Sequence, residues 1–328
     1  MTRARRTACF ALLFALPPGL KPLALRMLCR ARVGRHVSIG WFSSVMGDRI
    51  SLGDYATVAP LTVIRCDGEV SIGAYAQVSS FTLVYGSAAF VIGDHSYIGP
   101  QSLINADEDV RLGRRTALGA RAMVYTHGSW LPYTEGYWVR FGRVVIGDDV
   151  WCAAGVFLHP GVTIGNRVFV NSRSVVSSDL PDDCVAEGTP ARQAARMGQL
   201  RRKMTPARVD SVIHEMLQYF AEVDLSRGKG LKPVQEARGS WRLQDGSRAW
   251  RLSIVSSDTT TLPDTSAERH HIFLVNQPGW AARLPTASPT LDFTTMQANT
   301  RGDSVCEALV VFLRRYYGVQ FEFASLGE

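Results

Sequence analysis

The chain has 328 residues, of which 46% are hydrophobic and 20% charged, and its net charge at pH 7 is +7. This length predicts two or three domains, and the basic balance favours an anionic partner such as a phosphorylated ligand or an anionic lipid. No Lys/Arg-rich run is interleaved with aromatic residues, which argues against nucleic-acid binding.

The N-terminal segment, residues 1–32, mixes basic and apolar residues. A basic cluster at residues 3–6 precedes an apolar run, 9–16, that a Pro-Pro-Gly sequence ends. The run is too short to span a bilayer, which takes about 20 residues as a helix, and no small-x-small cleavage site follows it. Residues 20–28 continue at helical spacing. They predict either a basic amphipathic element at the inner membrane surface or a helix that caps the next domain.

A six-residue repeat occupies residues 33–197. Apolar residues, all aliphatic except Phe90 and Cys152, step by six in five series. The series are Leu52, Val58, Ile64 and Val70; Ile72, Val78, Val84 and Phe90; Ile92, Ile98, Ile104 and Val110; Leu112, Leu118 and Val124; and Ile146, Cys152, Leu158, Ile164, Val170 and Val176. One step is a short strand plus a corner, so three steps close a triangular coil. Stacked coils bury an apolar face that one coil cannot bury alone. We therefore predict a mainly β fold, a parallel β-helix of about seven coils, rather than a β-sandwich, whose strands vary in length.

One excursion interrupts the repeat. The step from Val124 to Ile146 is 22 residues where six would continue the coil, so about 16 residues must leave it as a loop. Long loops on a repeat scaffold often carry function. This loop opens at His127, and histidine is the usual side chain for proton transfer near neutral pH.

Three segments of the repeat region resemble the hexapeptide-repeat acyltransferases, in particular the sugar O-acetyltransferases and the xenobiotic acetyltransferases. The segments are Val-Tyr-Thr-His-Gly at 124–128, the hexads at 145–165, and 179–192, which ends in Glu-Gly-Thr-Pro-Ala-Arg. The resemblance implies a left-handed β-helix, acetyl-CoA as the acyl donor, no metal, and a homotrimer with active sites between subunits. It also implies that His127 is the general base and that the acceptor attacks the thioester directly.

The resemblance further implies residues that bind the acyl donor. Trp151 matches an aromatic residue near the thioester end, and Ala154 and Ser172 match backbone contacts to the pantetheine arm. Arg192 matches a cation near the CoA phosphates, with Arg196 beside it, and guanidinium suits phosphate because its donors form a rigid fork. The alternatives are that Trp151 fills a corner and that both arginines are solvated surface.

An acceptor site is expected around the loop. Asn105 lies one coil before His127, where many relatives place a polar acceptor contact, although it could instead be a coil-stacking asparagine. The aromatic residues Trp130, Tyr133 and Trp138 are expected to contact the acceptor, since aromatic faces pack on sugar rings. We therefore predict O-acetylation of a saccharide, such as a surface polysaccharide or its precursor.

Three other functions stay open at this point. One is N-acetylation of an amino sugar or a xenobiotic by the same fold. Another is a zinc-dependent carbonic anhydrase-like protein, which would need three histidines around one metal, and His127 has no second histidine near it. The third is an assembly scaffold without catalysis.

Beyond residue 197 the repeat ends. Residues 198–230 predict a helix with Thr205 as N-cap, followed by a linker from Ser226 to Lys232. Residues 231–328 predict a small α/β domain with strands near 250–255, 271–275, 291–294 and 319–323, and with a helix from Asp303 to Tyr317. This domain is expected to serve acceptor recognition, docking to a glycosyltransferase complex, or assembly.

The six cysteines bear on the cellular compartment. They form no CxxC pair and no Cys/His cluster of zinc-binding spacing. We expect reduced thiols in a cytoplasmic protein, with possible peripheral contact at the inner membrane surface.

Overall fold

The structure, a computed structural model, describes residues 3–128, 131–246, 248–261 and 270–323. The chain divides into two compact units, Met1–Arg201 and Arg202–Glu328. Among the described residues, no helix combines the length and the apolar character that crossing a bilayer requires.

The first unit is a parallel β-helix with three faces. Face A consists of the strands Arg32–Val33, Arg49–Leu52, Glu69–Ile72, Phe90–Ile92, Val110–Leu112, Val144–Ile146 and Thr163–Ile164. Face B consists of Ser38–Ile39, Thr57–Val58, Gln77–Val78, Tyr97–Ile98, Ala117–Leu118, Trp151–Cys152, Phe169–Val170, Cys184–Gly188 and Ala191–Arg196. Face C consists of Ser44–Met46, Val63–Cys66, Leu83–Gly86, Leu103–Asn105, Met123–Val124, Phe157–Leu158 and Val175–Val176. Strands of successive coils pair in parallel, so that Phe90 aligns with Val70 below it and with Val110 above it. This architecture confirms the predicted parallel β-helix.

The repeat positions form the interior of the coils. On face C, Ile64, Val84, Ile104 and Val124 are completely buried, one above the other. Because alternate side chains of a strand point to opposite faces, the residue before each of these points outward. The aliphatic step of six therefore builds one continuous apolar core.

The corners between faces A and B need left-handed backbone, which costs a residue with a Cβ about 1–2 kcal/mol. Tyr55, Tyr75 and His95 adopt φ values of 57–59° there, and their rings stack on one another. Farther along the same corner, Arg115 forms a bidentate ion pair with Asp149. Stacking between coils offsets part of the backbone cost.

Two helices, Arg3–Ala15 and Lys21–Cys29, pack over the first coil, joined by a short 3₁₀ turn, Pro18–Leu20. Leu13 and Leu25 are buried in the core of the β-helix. The helices therefore cap the domain that follows, as one of the two sequence interpretations predicts.

The second unit contains a mixed seven-stranded sheet and two long helices. The strands, in sheet order, are Val234–Ala237, Ser240–Asp245, Arg248–Val255, His270–Val275, Thr290–Asp292, Gln297–Asn299 and Glu322–Phe323. The helix Pro206–Phe220 begins after Thr205, whose hydroxyl accepts from the amide of Arg208, and the helix Ser304–Tyr317 begins after Asp303. The predicted small α/β domain is thus present, although the first two strands and Gln297–Asn299 were not predicted.

One boundary differs from the prediction. The expected linker from Ser226 to Lys232 is wrong in its first residues, because a π-helical segment, Ala221–Gly228, continues the helix. Leu225 within it is buried in the core of the second unit. Packing of that side chain explains why the helix extends into a polar, glycine-containing stretch. The remaining short helical segments are Tyr133–Glu135, Met197–Leu200 and Ala281–Arg283.

Candidate active site

His127 lies where the chain leaves the corner between faces C and A. The strand His127–Gly128 pairs antiparallel with Arg140–Phe141, which closes the base of the long loop. The imidazole ring is nearly parallel to the Phe141 ring, with 6.1 Å between the centroids. The side chain is 33% exposed, so an acceptor can reach it.

Two side-chain oxygen atoms lie within hydrogen-bond distance of His127 Nδ1. Asn105 Oδ1 lies 2.9 Å from it and Asp107 Oδ2 lies 3.1 Å from it. Asn105 Nδ2 donates to the same Asp107 oxygen at 2.9 Å, which orients the amide with its oxygen toward the ring. An amide oxygen and a carboxylate can only accept, so Nδ1 carries the proton and Nε2 keeps its lone pair. This tautomer is the one that a general base requires.

Asn105 is itself fixed by its neighbours. The Thr126 hydroxyl donates to Asn105 Oδ1 at 2.9 Å and accepts from the amide of Glu108 at 3.0 Å. Asn105 and Thr126 are completely buried. A buried side chain with these partners is placed to position His127. The acceptor contact that the resemblance implies for Asn105 stays a prediction.

Asp107 is a site residue that the sequence analysis missed. The Ser87 amide, one coil below, donates to Asp107 Oδ1 at 3.2 Å and holds the carboxylate at the corner. The preceding Gly86 has φ of 150°, and a Cβ there would lie 2.1 Å from the carbonyl carbon of Ala106. A sequence signal for Asp107 was available: Ser87, Asp107 and His127 follow one another at intervals of 20 residues, which places them at the same corner of successive coils.

The return of the loop is anchored to the next coil. The Gly142 amide donates to the Thr126 carbonyl at 2.9 Å, and the Gly161 amide donates to the Gly142 carbonyl at 3.0 Å. Burial lowers the pKa of His159, and Arg140 in the loop lowers it further. The loop base is therefore tied to the β-helix by backbone bonds rather than left free.

Aromatic side chains of the loop adjoin the histidine. Trp138 and Tyr133 are both 73% exposed. The Trp138 ring lies 3.8 Å from the position that a Cβ at Gly128 would take, next to His127. Trp130, also expected here, lies outside the described residues. Trp138 and Phe141 therefore offer flat apolar surface beside His127, whereas Tyr133 is exposed on the loop.

The residues expected to bind the acyl donor lie elsewhere on the β-helix. Trp151 is exposed on face B, where its ring packs on Phe169 with 4.9 Å between the centroids. Ala154 and Ser172 occupy the corner between faces B and C in successive coils, and both are exposed. The Ser172 amide donates to the neighbouring Asn171 Oδ1 at 2.8 Å. Within one chain, the width of face C separates this corner from His127.

The two arginines expected near the CoA phosphates lie at the end of face B. Arg192 and Arg196 belong to the exposed strand Ala191–Arg196, which pairs antiparallel with Cys184–Gly188. Their phosphate-binding role stays a prediction. Within the described ranges, no group of three or more His, Cys, Asp or Glu side chains is placed to hold a metal ion.

The parallel β-helix, with a histidine at the base of its long loop, fits the acyltransferase family that the sequence motifs resemble. The chain is 30% identical over 169 residues to the acetyltransferase WcaF of Escherichia coli (strain K12), assigned to colanic acid biosynthesis, and the match covers 51% of this chain and 70% of that protein. It is 41% identical over 49 residues to the galactoside O-acetyltransferase of the same organism, which covers 15% of this chain and 24% of that protein. The chain belongs to the hexapeptide-repeat acetyltransferases, which are left-handed β-helices, and this confirms the predicted family.

Family models and solved structures were also compared with the chain. No protein-family model matches the chain. A hexapeptide-repeat acetyltransferase from Vibrio cholerae, solved with acetyl-CoA, is 22% identical and has a TM-score of 0.34, over 59% of this chain and 86% of that one.

Proposed function

We propose that the protein transfers an acetyl group from acetyl-CoA to a hydroxyl group of a saccharide, with His127 as the general base. The observation that carries the proposal is the pair of acceptor oxygens on Nδ1, which leaves Nε2 free to take a proton. The saccharide acceptor is supported by the relatives, since one is named for colanic acid biosynthesis and another for galactoside acetylation.

The proposed reaction is a direct transfer. His127 Nε2 takes the proton of the acceptor hydroxyl while that oxygen attacks the thioester carbonyl, so a C–O bond forms and the C–S bond breaks. The proton then passes from Nε2 to the departing sulfur, and the products are an acetyl ester and CoA. The Asp107 carboxylate stabilises the positive ring that exists between the two proton transfers.

The same proposal includes a homotrimer with active sites between subunits. The outward positions of face C form an apolar column of Val63, Leu83, Leu103, Met123, Phe157 and Val175. Leu83 and Met123 are exposed and the other four residues are half-buried, and a continuous apolar column on a protein surface is typical of a subunit interface. Packing face C against a neighbour would bring His127 of one chain near the corner of Ala154 and Ser172 of another.

The other predicted contacts belong to this proposal as well. Trp151, Ala154 and Ser172 would bind the thioester end and pantetheine arm, and Arg192 and Arg196 the phosphates. Tyr133, Trp138 and Trp130 would pack on the acceptor. A cytoplasmic location and a peripheral contact with the inner membrane surface or with a glycosyltransferase complex remain predictions.

The test is the variant His127→Ala, assayed by CoA release with a panel of sugars, amino sugars and xenobiotics. We expect kcat to fall about 10²–10⁴-fold, the usual contribution of a positioned general base, while CoA binding by calorimetry is unchanged. The matched control is His95→Gln, because His95 stacks on Tyr75 at the corner between faces A and B, on the other side of face A from His127. This variant should keep its activity.

The outcomes separate the candidate functions. Nearly full transfer by His127→Ala would exclude His127 as the base. Faster turnover of amino than of hydroxyl acceptors would favour N-acetylation. Absence of CoA binding by the wild-type chain would leave an assembly scaffold.

A further inference from the structure

The second N-terminal helix has an outward side that the β-helix does not cover. Its packed side buries Lys21 and Leu25 completely. On the opposite side, Leu20, Leu23 and Met27 are 52%, 52% and 71% exposed. Leu20 ends the 3₁₀ turn and is the N-cap of the helix, with right-handed helical backbone angles. Counted at 3.6 residues per turn from Leu20, these three side chains fall within an arc of about 60°. Single exposed leucines are ordinary on a protein surface, whereas a stripe of three large apolar side chains is not.

Basic residues flank this stripe. Arg26 and Arg30 each follow an apolar member of the stripe by three residues, and both are exposed. Arg26 Nη2 donates to the carbonyls of Val33 and Gly34 at 2.7 and 3.0 Å, and a guanidinium has five N–H donors in all. Residues 1–47 contain eight lysines and arginines and no acidic residue, and the first carboxylate in the chain is Asp48. The outward side is therefore apolar and cationic at once.

The rotation of the helix is fixed by its packed side. Lys21 Nζ donates to the Gly40 carbonyl at 2.7 Å and to the Ser43 carbonyl at 2.8 Å, and Leu25 lies in the core of the β-helix. Rotating the helix to bury Leu23 and its neighbours would break both bonds and expose Leu25. The apolar stripe consequently stays outward for as long as the first coil is folded.

We propose that this outward side, Leu20, Leu23, Met27, Arg26 and Arg30, binds the surface of an anionic lipid bilayer. The helix would lie in the plane of the headgroups, with the apolar stripe inserted and the guanidinium groups at the lipid phosphates. The charge decides between occupants, because a second copy of this chain would bring a segment of like charge against the first. This inference is independent of the acetyl-transfer chemistry.

The test is flotation of the full-length protein with vesicles of phosphatidylcholine, alone or with one third phosphatidylglycerol. We expect binding to the anionic vesicles, weakening as salt rises, and little binding to the neutral ones. Arg30→Gln should weaken binding about fivefold, the value of one cation near such a surface. Met27→Glu should weaken it about tenfold or more, since it removes an inserted side chain and adds a repelled charge.

Val311→Glu is the matched control, because Val311 is a 64% exposed apolar residue on the long C-terminal helix of the second unit. It should bind as the wild type does. Equal binding to both vesicle types, binding to neither, or equal losses from Met27→Glu and Val311→Glu would overturn the proposal. Smaller oligomers of Met27→Glu in ultracentrifugation, with vesicle binding intact, would assign the stripe to contact between copies and also overturn it. CoA release from the same preparations reports acetyl transfer separately.

Discussion

The substitution Asp107→Asn removes a negative charge beside the His127 ring with little change in side-chain volume. Asp107 Oδ2 lies 3.1 Å from His127 Nδ1, and the ring becomes positive when Nε2 takes the acceptor proton. Two opposite charges about 4 Å apart attract by about 1 kcal/mol in water and about 4 kcal/mol at an effective dielectric constant of about 20. The two side chains are 33% and 37% exposed, which places the pair between these limits. We expect a loss of about 1.4–2.7 kcal/mol, that is, a fall in kcat of about ten- to a hundredfold.

The assay is CoA release at saturating donor and acceptor, in two backgrounds. In the His127→Ala background, Asp107→Asn should have no further effect, since the charge it removes has no ring to stabilise. The control is Asp109→Asn, because that carboxylate pairs with Arg111 at 2.9 Å instead of with the histidine. An unchanged kcat for Asp107→Asn, or equal falls in both backgrounds, would refute the role assigned to Asp107.

Two other substitutions test the coil contacts around the site. Gly86→Ala should lower both the Tm and acetyl transfer, because its Cβ would overlap the backbone of the coil above; Gly198→Ala, which has open space around it, should change neither in thermal melts and CoA release. Burial, and then the charge of Arg140, lower the pKa of His159. Below about pH 6.5 the unfolded chain therefore takes up a proton that the folded chain resists, and the free energy of unfolding decreases as the pH falls. His159→Gln should therefore lose less Tm than the wild type between about pH 7.5 and pH 5, and an equal or larger loss would contradict the assignment.

Sequence periodicity was sufficient to predict the β-helix and the position of its loop. The step of six from Ile146 to Val176 allows one geometry, because each aliphatic residue must reach a common interior after one strand and one corner. The long step that begins at Val124 marked the loop, and the loop began at His127. Helix starts at Thr205 and Asp303 were also predictable, because a capping side chain bonds within its own first turn.

The side-chain contacts between coils were decided by the stacking of the coils. Asp107 meets His127 because parallel stacking places residues 20 apart at one corner, and the orientation of its carboxylate depends on the Ser87 amide one coil below. No local pattern distinguishes this aspartate from others at corners. The burial of Asn105, whose side-chain oxygen lies 2.9 Å from His127 Nδ1, likewise follows from the coils on either side of it.

In the second N-terminal helix, too, the sequence determined one property and the tertiary structure another. Helical spacing indicates that Leu20, Leu23 and Met27 share a side, and it leaves open which side faces the β-helix. Packing decided that, because Lys21 reaches two carbonyl groups of the first coil and Leu25 fills its interior. Periodicity is a property of neighbouring residues, so the sequence carries it directly. The meeting of distant side chains depends on register, which exists only once the coils have stacked.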